Sequence, residues 1–187
     1  MKLYLIRHAP VLGKTGFIYG DEAEVNLTGQ EVTILSLSAA LPAPDIADWY
    51  SSGVDRARKT GEAVLQHLST SRAIPFSICT HGGFREQDFG DLTGKAHEDV
   101  LAHVQFVQGK VFSPQPPNGE GIISLISRVS KSIQEVRESA ERKSKRNIVV
   151  FCHGGTIRAA HIVIKQLNVA DYITLDTPPF SVHQYDI

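Results

Sequence analysis

Short apolar runs alternate with segments of helical periodicity along this chain, and this alternation restricts it to few folds. The apolar runs predict strands at Lys2–Ile6, Ile46–Ser51, Phe76–Cys79, Asn147–Cys152 and Phe180–Ile187. The periodic segments predict helices at Thr28–Ala40, Arg56–Leu68, His97–Gln108, Gly121–Lys143 and Thr156–Leu167. Alternating strands and helices favour a mostly parallel sheet with helices on both faces, which is a three-layer α/β/α sandwich.

Two of the predicted helices carry further signals. The longest has one apolar face, because apolar residues recur every three or four positions along it. These residues are Ile122, Leu125, Ile126, Val129, Ile133 and Val136. The first helix is preceded by Thr28 with Glu31 three residues later, which is the spacing of a capping box. We therefore expect the first helix to begin at Thr28.

The size and charge of the chain limit its organisation and partners. Its 187 residues, 42% hydrophobic and 21% charged, predict one domain over residues 1–187. Loops rich in turn residues predict lid-like insertions around residues 13–26 and 95–121. Lysine and arginine number 19 against 20 acidic residues, a net charge of −1, so neither nucleic acid nor a membrane surface is an expected partner.

The chain shows no signal for secretion or for a disulfide framework. Its two cysteines, Cys79 and Cys152, lie in apolar strand-like runs. The N-terminal apolar run reaches Arg7 too soon for a signal peptide or a membrane span. We expect a soluble cytoplasmic protein, and the sequence leaves its oligomeric state open.

Charged side chains follow the ends of four predicted strands, where ligands bind in sheets of this kind. In chain order these residues are Arg7 and His8, then Arg56, then Glu86, and finally His153 with Gly154. One histidine or arginine at a strand end is more often structural than catalytic. Four strand ends that place such residues at one edge of a sheet indicate a functional site.

The residue types at this edge favour a phosphoryl group over a metal ion. Arginine donates two parallel hydrogen bonds to phosphate and stays charged. Gly154 and Gly155 precede a helix, where free N–H groups favour an anion. A zinc site is the alternative, but the chain has no HExxH or CxxC spacing, and Arg7 and Arg56 would repel a divalent cation. We expect neither a metal nor a cofactor.

Four segments together resemble the histidine phosphatase superfamily, in its phosphoglycerate mutase-like branch. They are Arg7-His8, Ser51–Thr60 (SSGVDRARKT), Arg85–Gly94 (REQDFGDLTG) and His153-Gly154-Gly155. The resemblance implies a phosphoglycerate mutase-like fold and a phosphohistidine mechanism, with His8 as the nucleophile. It also implies that Arg7, Arg56 and His153 hold the phosphoryl group. Glu86 would then be the general acid.

The chain departs from the family pattern at two positions. Ala9 follows His8 where the family has glycine, and its Cβ could crowd the phosphate. Gly121 closes the segment Pro116–Gly121 (PPNGEG) where the family has serine, so a hydroxyl is lost. Neither departure falls on the catalytic set.

The loop sequences favour one substrate class. Tyr19 and Gly20 resemble the loop of α-ribazole phosphatases, so we expect a small-molecule phosphomonoester, with α-ribazole 5'-phosphate ahead of any other single compound. A phosphoglycerate mutase, a protein phosphohistidine phosphatase and a non-catalytic relative that binds phosphorylated ligands or partners are the alternatives. His81 lies near Glu86 in sequence, and its role stays open between packing and catalysis.

Overall fold

The computed structural model describes residues 1–13, 15–69, 77–101, 105–107, 110–112 and 115–187. The strands are β1 (Lys2–Arg7), β2 (Ala47–Ser51), β3 (Cys79–Thr80), β4 (Gln105–Val107), β5 (Lys110–Phe112), β6 (Asn147–Cys152) and β7 (Val182–Asp186). The α-helices are α1 (Glu31–Ala40), α2 (Asp55–Ser69), α3 (His97–Leu101), α4 (Ile122–Arg142) and α5 (Gly154–Lys165). The main sheet has the order β3-β2-β6-β1-β7. Only β7, paired with β1, runs antiparallel in it.

Side chains of the central strands alternate between two apolar cores, as the period of a strand requires. In β6, Ile148 and Val150 point to the core covered by α4 and α5, and Val149 and Phe151 point to the core covered by α1 and α2. The structure therefore confirms the predicted α/β fold with helices on both faces of a mostly parallel sheet.

The predicted apolar face of α4 is confirmed. Leu125, Val129, Ile133 and Val136 are buried, and Ile122 and Ile126 pack against the same core. Helix α5 begins at Gly154, two residues before its predicted start. Its first turn therefore lies at the end of β6, beside the predicted site residues.

The predicted cap of α1 is wrong. Helix α1 begins at Glu31 with Gln30 as the N-cap residue, and no side chain caps it. Thr28 instead donates its backbone N–H to Asn26 Oδ1 over 3.1 Å. Gly29 has φ +72°, so a turn separates Thr28 from the helix.

The predicted helix His97–Gln108 is also wrong in its second half. Helix α3 ends at Leu101, and Gln105–Val107 forms β4, which pairs antiparallel with β5. Both strands carry aromatic and β-branched residues, which favour extended backbone over a helix. Residues 102–104 and Gln108 lie outside the described residues.

The last strand begins later than predicted, and the third predicted strand is only partly described. Phe180 has φ +62° and lies in a turn before β7. Its N–H donates to Arg7 O over 3.2 Å, so this turn closes over the end of β1. Phe76 lies outside the described residues. Among the helices of the described ranges, none is long and apolar enough to cross a membrane.

Candidate active site

The predicted site residues lie around one cavity of about 300 Å³ at the carboxyl ends of the parallel strands. Arg7 ends β1 and His8 follows it, Arg56 lies in the first turn of α2, and Glu86 follows the turn after β3. The lining includes Arg7, His8, Tyr19, Arg56, Glu86 and Gly154. The structure thus brings together residues that are up to 147 positions apart, from Arg7 to Gly154.

His8 is held in one orientation and in its neutral form. Its ring Nδ1 lies 2.6 Å from Ala9 O, which can only accept, so Nδ1 carries the proton and Nε2 has a free lone pair. Burial lowers the pKa of His8 to about 3, and the charges of Arg56 and Arg7 act in the same direction. An imidazole that is neutral at pH 7 with a free Nε2 is suited to nucleophilic attack.

Ala9 fits its position without backbone strain. It is fully buried and has no positive φ, so glycine is not required there. Its N–H donates to Thr60 Oγ1 over 3.0 Å, and Thr60 donates to Arg56 O over 2.6 Å. One hydroxyl therefore links the backbone beside His8 to the helix that carries Arg56.

Arg7 and Arg56 each have one buried N–H donor that makes no hydrogen bond to the described residues. Arg7 Nη1 donates to Thr177 O over 2.5 Å, and Arg56 Nη1 donates to Gly20 O over 2.7 Å. In both side chains the buried Nε has no hydrogen-bond partner within the described part of the chain. Burial lowers the pKa of both guanidinium groups, while Glu86 opposes that effect. Buried cations with unused donors are suited to an anionic ligand.

His153 lies behind the cavity rather than in its lining. It is fully buried, its ring centroid lies 5.2 Å from that of His8, and its Nε2 lies 2.8 Å from Ser52 Oγ. Burial, together with Arg56, holds its pKa well below the usual range for histidine. Nδ1 is buried and has no hydrogen-bond partner within the described residues. The sequence pattern singled out His153 but not the contribution of Ser52.

The Glu86 carboxylate is held by two backbone N–H groups. Oε1 accepts from Gln87 N over 2.9 Å, and Oε2 accepts from Gly155 N over 3.1 Å. A Cβ at Gly155 would clash with Oε1, so glycine is needed for this close approach. The Gly155 N–H predicted to face an anionic ligand therefore binds the carboxylate of Glu86, and both Gly154 and Gly155 line the cavity.

The rest of the cavity is largely apolar, a property that the sequence patterns did not indicate. We define the apolar wall as Phe17, Ile18, Phe89, Ile122 and Ile173. Four polar side chains complete this side, namely Gln87, His97, Arg158 and Tyr172. Arg158 Nε donates to Leu175 O over 3.0 Å, and the Tyr172 hydroxyl donates to Gly155 O over 3.2 Å.

Of the predicted lid residues, Tyr19 lines one edge of the cavity, and Gly20 follows it in the same loop. Gly20 accepts from Arg56, and the next residue, Asp21, forms an ion pair with Arg85. This loop is thereby connected both to Arg56 and to the turn that carries Glu86. Whether it moves as a lid stays a prediction.

His81 lies away from the cavity lining. Its Nε2 lies 3.2 Å from Glu135 on α4, and its ring packs against Phe84 and Tyr50. These contacts support the packing interpretation of His81. Across the described ranges, no three His, Cys, Asp or Glu side chains come together as a metal site.

Comparison with known proteins identifies similar chains. The family pattern of the histidine phosphatase superfamily (branch 1) matches residues 3–187. The 2,3-bisphosphoglycerate-dependent phosphoglycerate mutase of Cytophaga hutchinsonii is 28% identical over 136 residues. That match covers 71% of this chain but only 61% of the mutase.

Two solved structures share the fold. The phosphoglycerate mutase from Thermus thermophilus is 27% identical with a TM-score of 0.66, covering 100% of this chain and 93% of its own. A mycobacterial glucosyl-3-phosphoglycerate phosphatase is 21% identical with a TM-score of 0.76, covering 98% of this chain and 88% of its own.

Proposed function

Because this chain belongs to the histidine phosphatase superfamily (branch 1), we propose that it is a metal-independent phosphomonoesterase that forms a phosphohistidine on His8. Members of this superfamily are phosphatases or mutases. The observation that carries the proposal is the state of His8, which is neutral, fixed through Nδ1 to Ala9 O and placed in a cavity with two arginines.

In the first step, the lone pair of His8 Nε2 attacks phosphorus and the bond from phosphorus to the alcohol oxygen breaks. The Glu86 carboxyl gives its proton to that oxygen, so the alcohol leaves as a neutral molecule. Arg7 and Arg56 neutralise the charge on the phosphoryl oxygens. His153 Nδ1, which is buried and has no partner among the described residues, donates to one of them when it carries the proton.

In the second step, water attacks phosphorus and transfers a proton to the Glu86 carboxylate. The phosphorus–Nε2 bond breaks, inorganic phosphate leaves and neutral His8 is restored. One carboxyl group thus acts first as acid and then as base, which explains why a single glutamate beside the nucleophile suffices.

The apolar wall supports an alcohol with a flat or apolar surface. Ligand sites are mostly apolar, with a few polar groups that orient the ligand, and this cavity has that composition. Its size suits a small metabolite rather than a folded protein. α-Ribazole 5'-phosphate, whose base is a flat apolar ring system, is therefore the first substrate to test.

A phosphoglycerate mutase activity is the second candidate. Arg158 lines the cavity and offers a third guanidinium for a substrate carboxylate. Two of the similar proteins carry the name phosphoglycerate mutase. The apolar wall favours the phosphatase, because glycerate has little apolar surface to bury.

A panel of phosphomonoesters separates these functions. The panel contains α-ribazole 5'-phosphate, 3-phosphoglycerate with its bisphosphate, and p-nitrophenyl phosphate. We expect phosphate release without interconversion of phosphoglycerates. Interconversion would select the mutase, and no turnover of any compound would favour a non-catalytic binding protein.

The covalent step is tested with ³²P-labelled substrate and trapping in alkali, because phosphohistidine is labile in acid. Wild-type protein should carry alkali-stable label, and His8→Ala should lose both label and turnover. An active His8→Ala variant would remove the proposed mechanism.

Metal independence is tested by dialysis against a chelator. Since arginines and N–H groups supply the positive charge, hydrolysis of p-nitrophenyl phosphate should survive EDTA. Loss of activity with recovery on adding zinc or magnesium would contradict the proposal.

A further inference from the structure

The turn that carries Glu86 has little regular structure of its own. It contains one 3₁₀ turn, Gly82–Phe84, and then continues in extended conformation at Arg85. Inside it, Phe84 N donates to His81 O over 3.0 Å, and Arg85 N donates to Gly82 O over 3.1 Å. The carbonyl groups of Gly83, Arg85 and Glu86 are left for partners outside the turn.

One side chain from α4 supplies donors to all three carbonyls. Arg128 Nη1 donates to Gly83 O over 2.9 Å and to Arg85 O over 3.1 Å, and Nη2 makes a longer contact of 3.4 Å with Glu86 O. A planar guanidinium can serve several acceptors in fixed directions, which the ammonium of lysine cannot.

Glu120 fixes the orientation of that guanidinium. Arg128 Nε donates to Glu120 Oε1 over 2.9 Å, and Nη2 donates to Oε2 over 2.6 Å, a bidentate pair. The Glu120 backbone also contacts the segment after the turn, since its O accepts from Gln87 Nε2 over 2.8 Å and its N–H donates to Asp88 O over 2.7 Å. The Arg128–Glu120 ion pair therefore connects α4 and the segment just before it to the backbone on both sides of Glu86.

In an ordinary surface ion pair, the two charged side chains bond only to each other. Such pairs contribute little to stability, and the side chains here are 28% and 18% exposed. The difference lies in the remaining donors of Arg128, which go to the backbone of Glu86 and of residues within three positions of it. The Arg128–Glu120 pair thus contacts the backbone of Glu86, a residue that lines the cavity.

We propose that Arg128, oriented by Glu120, is a positioning residue that keeps the Glu86 carboxyl where the leaving alcohol is protonated. The carboxylate accepts from Gln87 N and Gly155 N only while the Glu86 backbone stays in place. Loss of the guanidinium removes a donor from all three carbonyls. Arg85 O keeps its bond of 2.8 Å from Thr156 Oγ1, but the backbone at Gly83 and Glu86 can then shift. A misplacement of about 1 Å can cost about 10²-fold in rate.

This inference rests on the proposed function, because it needs Glu86 as the acid. It predicts that Arg128→Lys lowers kcat for an alkyl phosphate by about 10²-fold while KM changes little. The kcat/KM of p-nitrophenyl phosphate, whose leaving group needs little protonation, should change far less, because kcat/KM excludes the second step, in which Glu86 is the base for both esters. Arg137→Lys is the matched control, since Arg137 lies on the same helix and, among the residues that the structure describes, forms its ion pair with Glu141 on the exposed surface.

A double variant separates positioning from general loss of structure. If Arg128 acts through Glu86, Arg128→Lys should add no further loss to Glu86→Gln on the alkyl ester. The thermal unfolding of each variant is measured alongside its kinetics. Lysine rather than alanine is placed at position 128, because lysine keeps the positive charge.

Three results would overturn the inference. Equal slowing of both ester types by Arg128→Lys would indicate a general structural role, as would losses that add in the double variant. If Glu86→Gln slows both esters equally, its acid role fails, and the role of Arg128 fails with it. Failure of the acid role of Glu86 can be told apart from failure of the Arg128 inference alone, because it appears in the Glu86→Gln variant without any change at Arg128.

Discussion

The two sides of the cavity are built in different ways. We define the phosphate side as Arg7, His8, Arg56 and His153, and the leaving-group side as Glu86 together with the apolar wall. The residues of the phosphate side lie at the ends of β1 and β6 and in the first turn of α2. His8, Arg56 and His153 are at most 5% exposed. The leaving-group side lies mainly on turns and loops, and its Ile173 is 58% exposed.

This difference indicates which part of the site determines which property. Ends of buried strands are fixed by both cores of the sheet, so they suit a reaction that needs constant geometry. Loops can change without loss of the core, so they suit the choice of the alcohol. We infer that the phosphate side carries out the phosphoryl transfer and that the leaving-group side selects the substrate.

The sharpest test of this division compares one variant on each side. Glu86→Gln should slow an alkyl phosphate by roughly 10²–10⁴-fold, because a poor leaving group needs general acid catalysis. The same variant should slow p-nitrophenyl phosphate far less. Arg56→Lys should slow both esters alike, because both carry the same phosphoryl group. The ratio is taken from kcat/KM on the two esters, because kcat/KM reports only the steps up to formation of phosphohistidine and excludes the second step, in which Glu86 is the base for both esters.

Two outcomes would break the comparison. A Glu86→Gln variant that treats both esters alike would mean that the carboxylate does not protonate the leaving group. An Arg56→Lys variant that discriminates between them would mean that the phosphate side also senses the alcohol.

The sequence predicted which residues of the phosphate side lie together, but it did not predict most residues of the leaving-group side. Apolar runs that end on Arg7-His8 and on His153 mark strand ends directly, and the fold rule then brings those ends together. Phe89, Ile122 and Ile173 look like ordinary core residues in the sequence, because only the loop paths bring them to one cavity. Hydrophobic periodicity also cannot show that a guanidinium on α4 reaches a distant turn.

Local motifs failed where the backbone adopts another conformation. The Thr28 capping box has the right spacing, yet the positive φ of Gly29 places a turn before α1. The strand β4 was predicted as helix because a short apolar run fits both periods. Both errors lie outside the strand ends, which explains why they left the predicted phosphate side intact.

A smaller effect is expected from moving Glu86 without removing it. In Gly155→Ala, the new Cβ would clash with Glu86 Oε1 and would lie 2.8 Å from the Tyr172 hydroxyl. The carboxylate must shift and lose its bond from Gly155 N, so alkyl phosphate hydrolysis should fall by about 10²-fold. Gly82→Ala is the control, because a Cβ at Gly82 meets no atom within 4 Å. Unchanged alkyl ester rates in Gly155→Ala would show that the placement of Glu86 is not critical.

The buried histidines of the phosphate side make stability depend on pH. The unfolded chain binds a proton at His8 below about pH 6.5, whereas the folded protein does so only near pH 3. The free energy of unfolding should therefore fall as the pH falls through this window, by about 1.4 kcal/mol per pH unit for this residue. The fully buried His153 acts in the same direction.

Urea unfolding between pH 7 and pH 4.5 measures this slope. His8→Gln should flatten it by about 1.4 kcal/mol per pH unit relative to wild type, because glutamine does not titrate. Carboxylates contribute to both slopes and cancel in the difference. Identical slopes would show that His8 titrates alike in the folded and unfolded chains.

The smallest expected effect concerns Gly121, where the family pattern has serine. Gly121 is the N-cap residue of α4, with φ −74° and ψ 155°, a conformation open to any residue. A Cβ there would meet nothing closer than Gln115 Cβ at 3.6 Å. Gly121→Ser should therefore cap the helix and raise the free energy of unfolding by a few tenths of a kcal/mol, roughly. Gly121→Ala adds the same Cβ without the hydroxyl and should be less stable, since alanine is a poor N-cap.

If the family hydroxyl only caps the helix, neither variant should alter KM for an alkyl phosphate. A KM change in Gly121→Ser alone would instead place that hydroxyl on the leaving-group side, where Ile122 already lines the cavity.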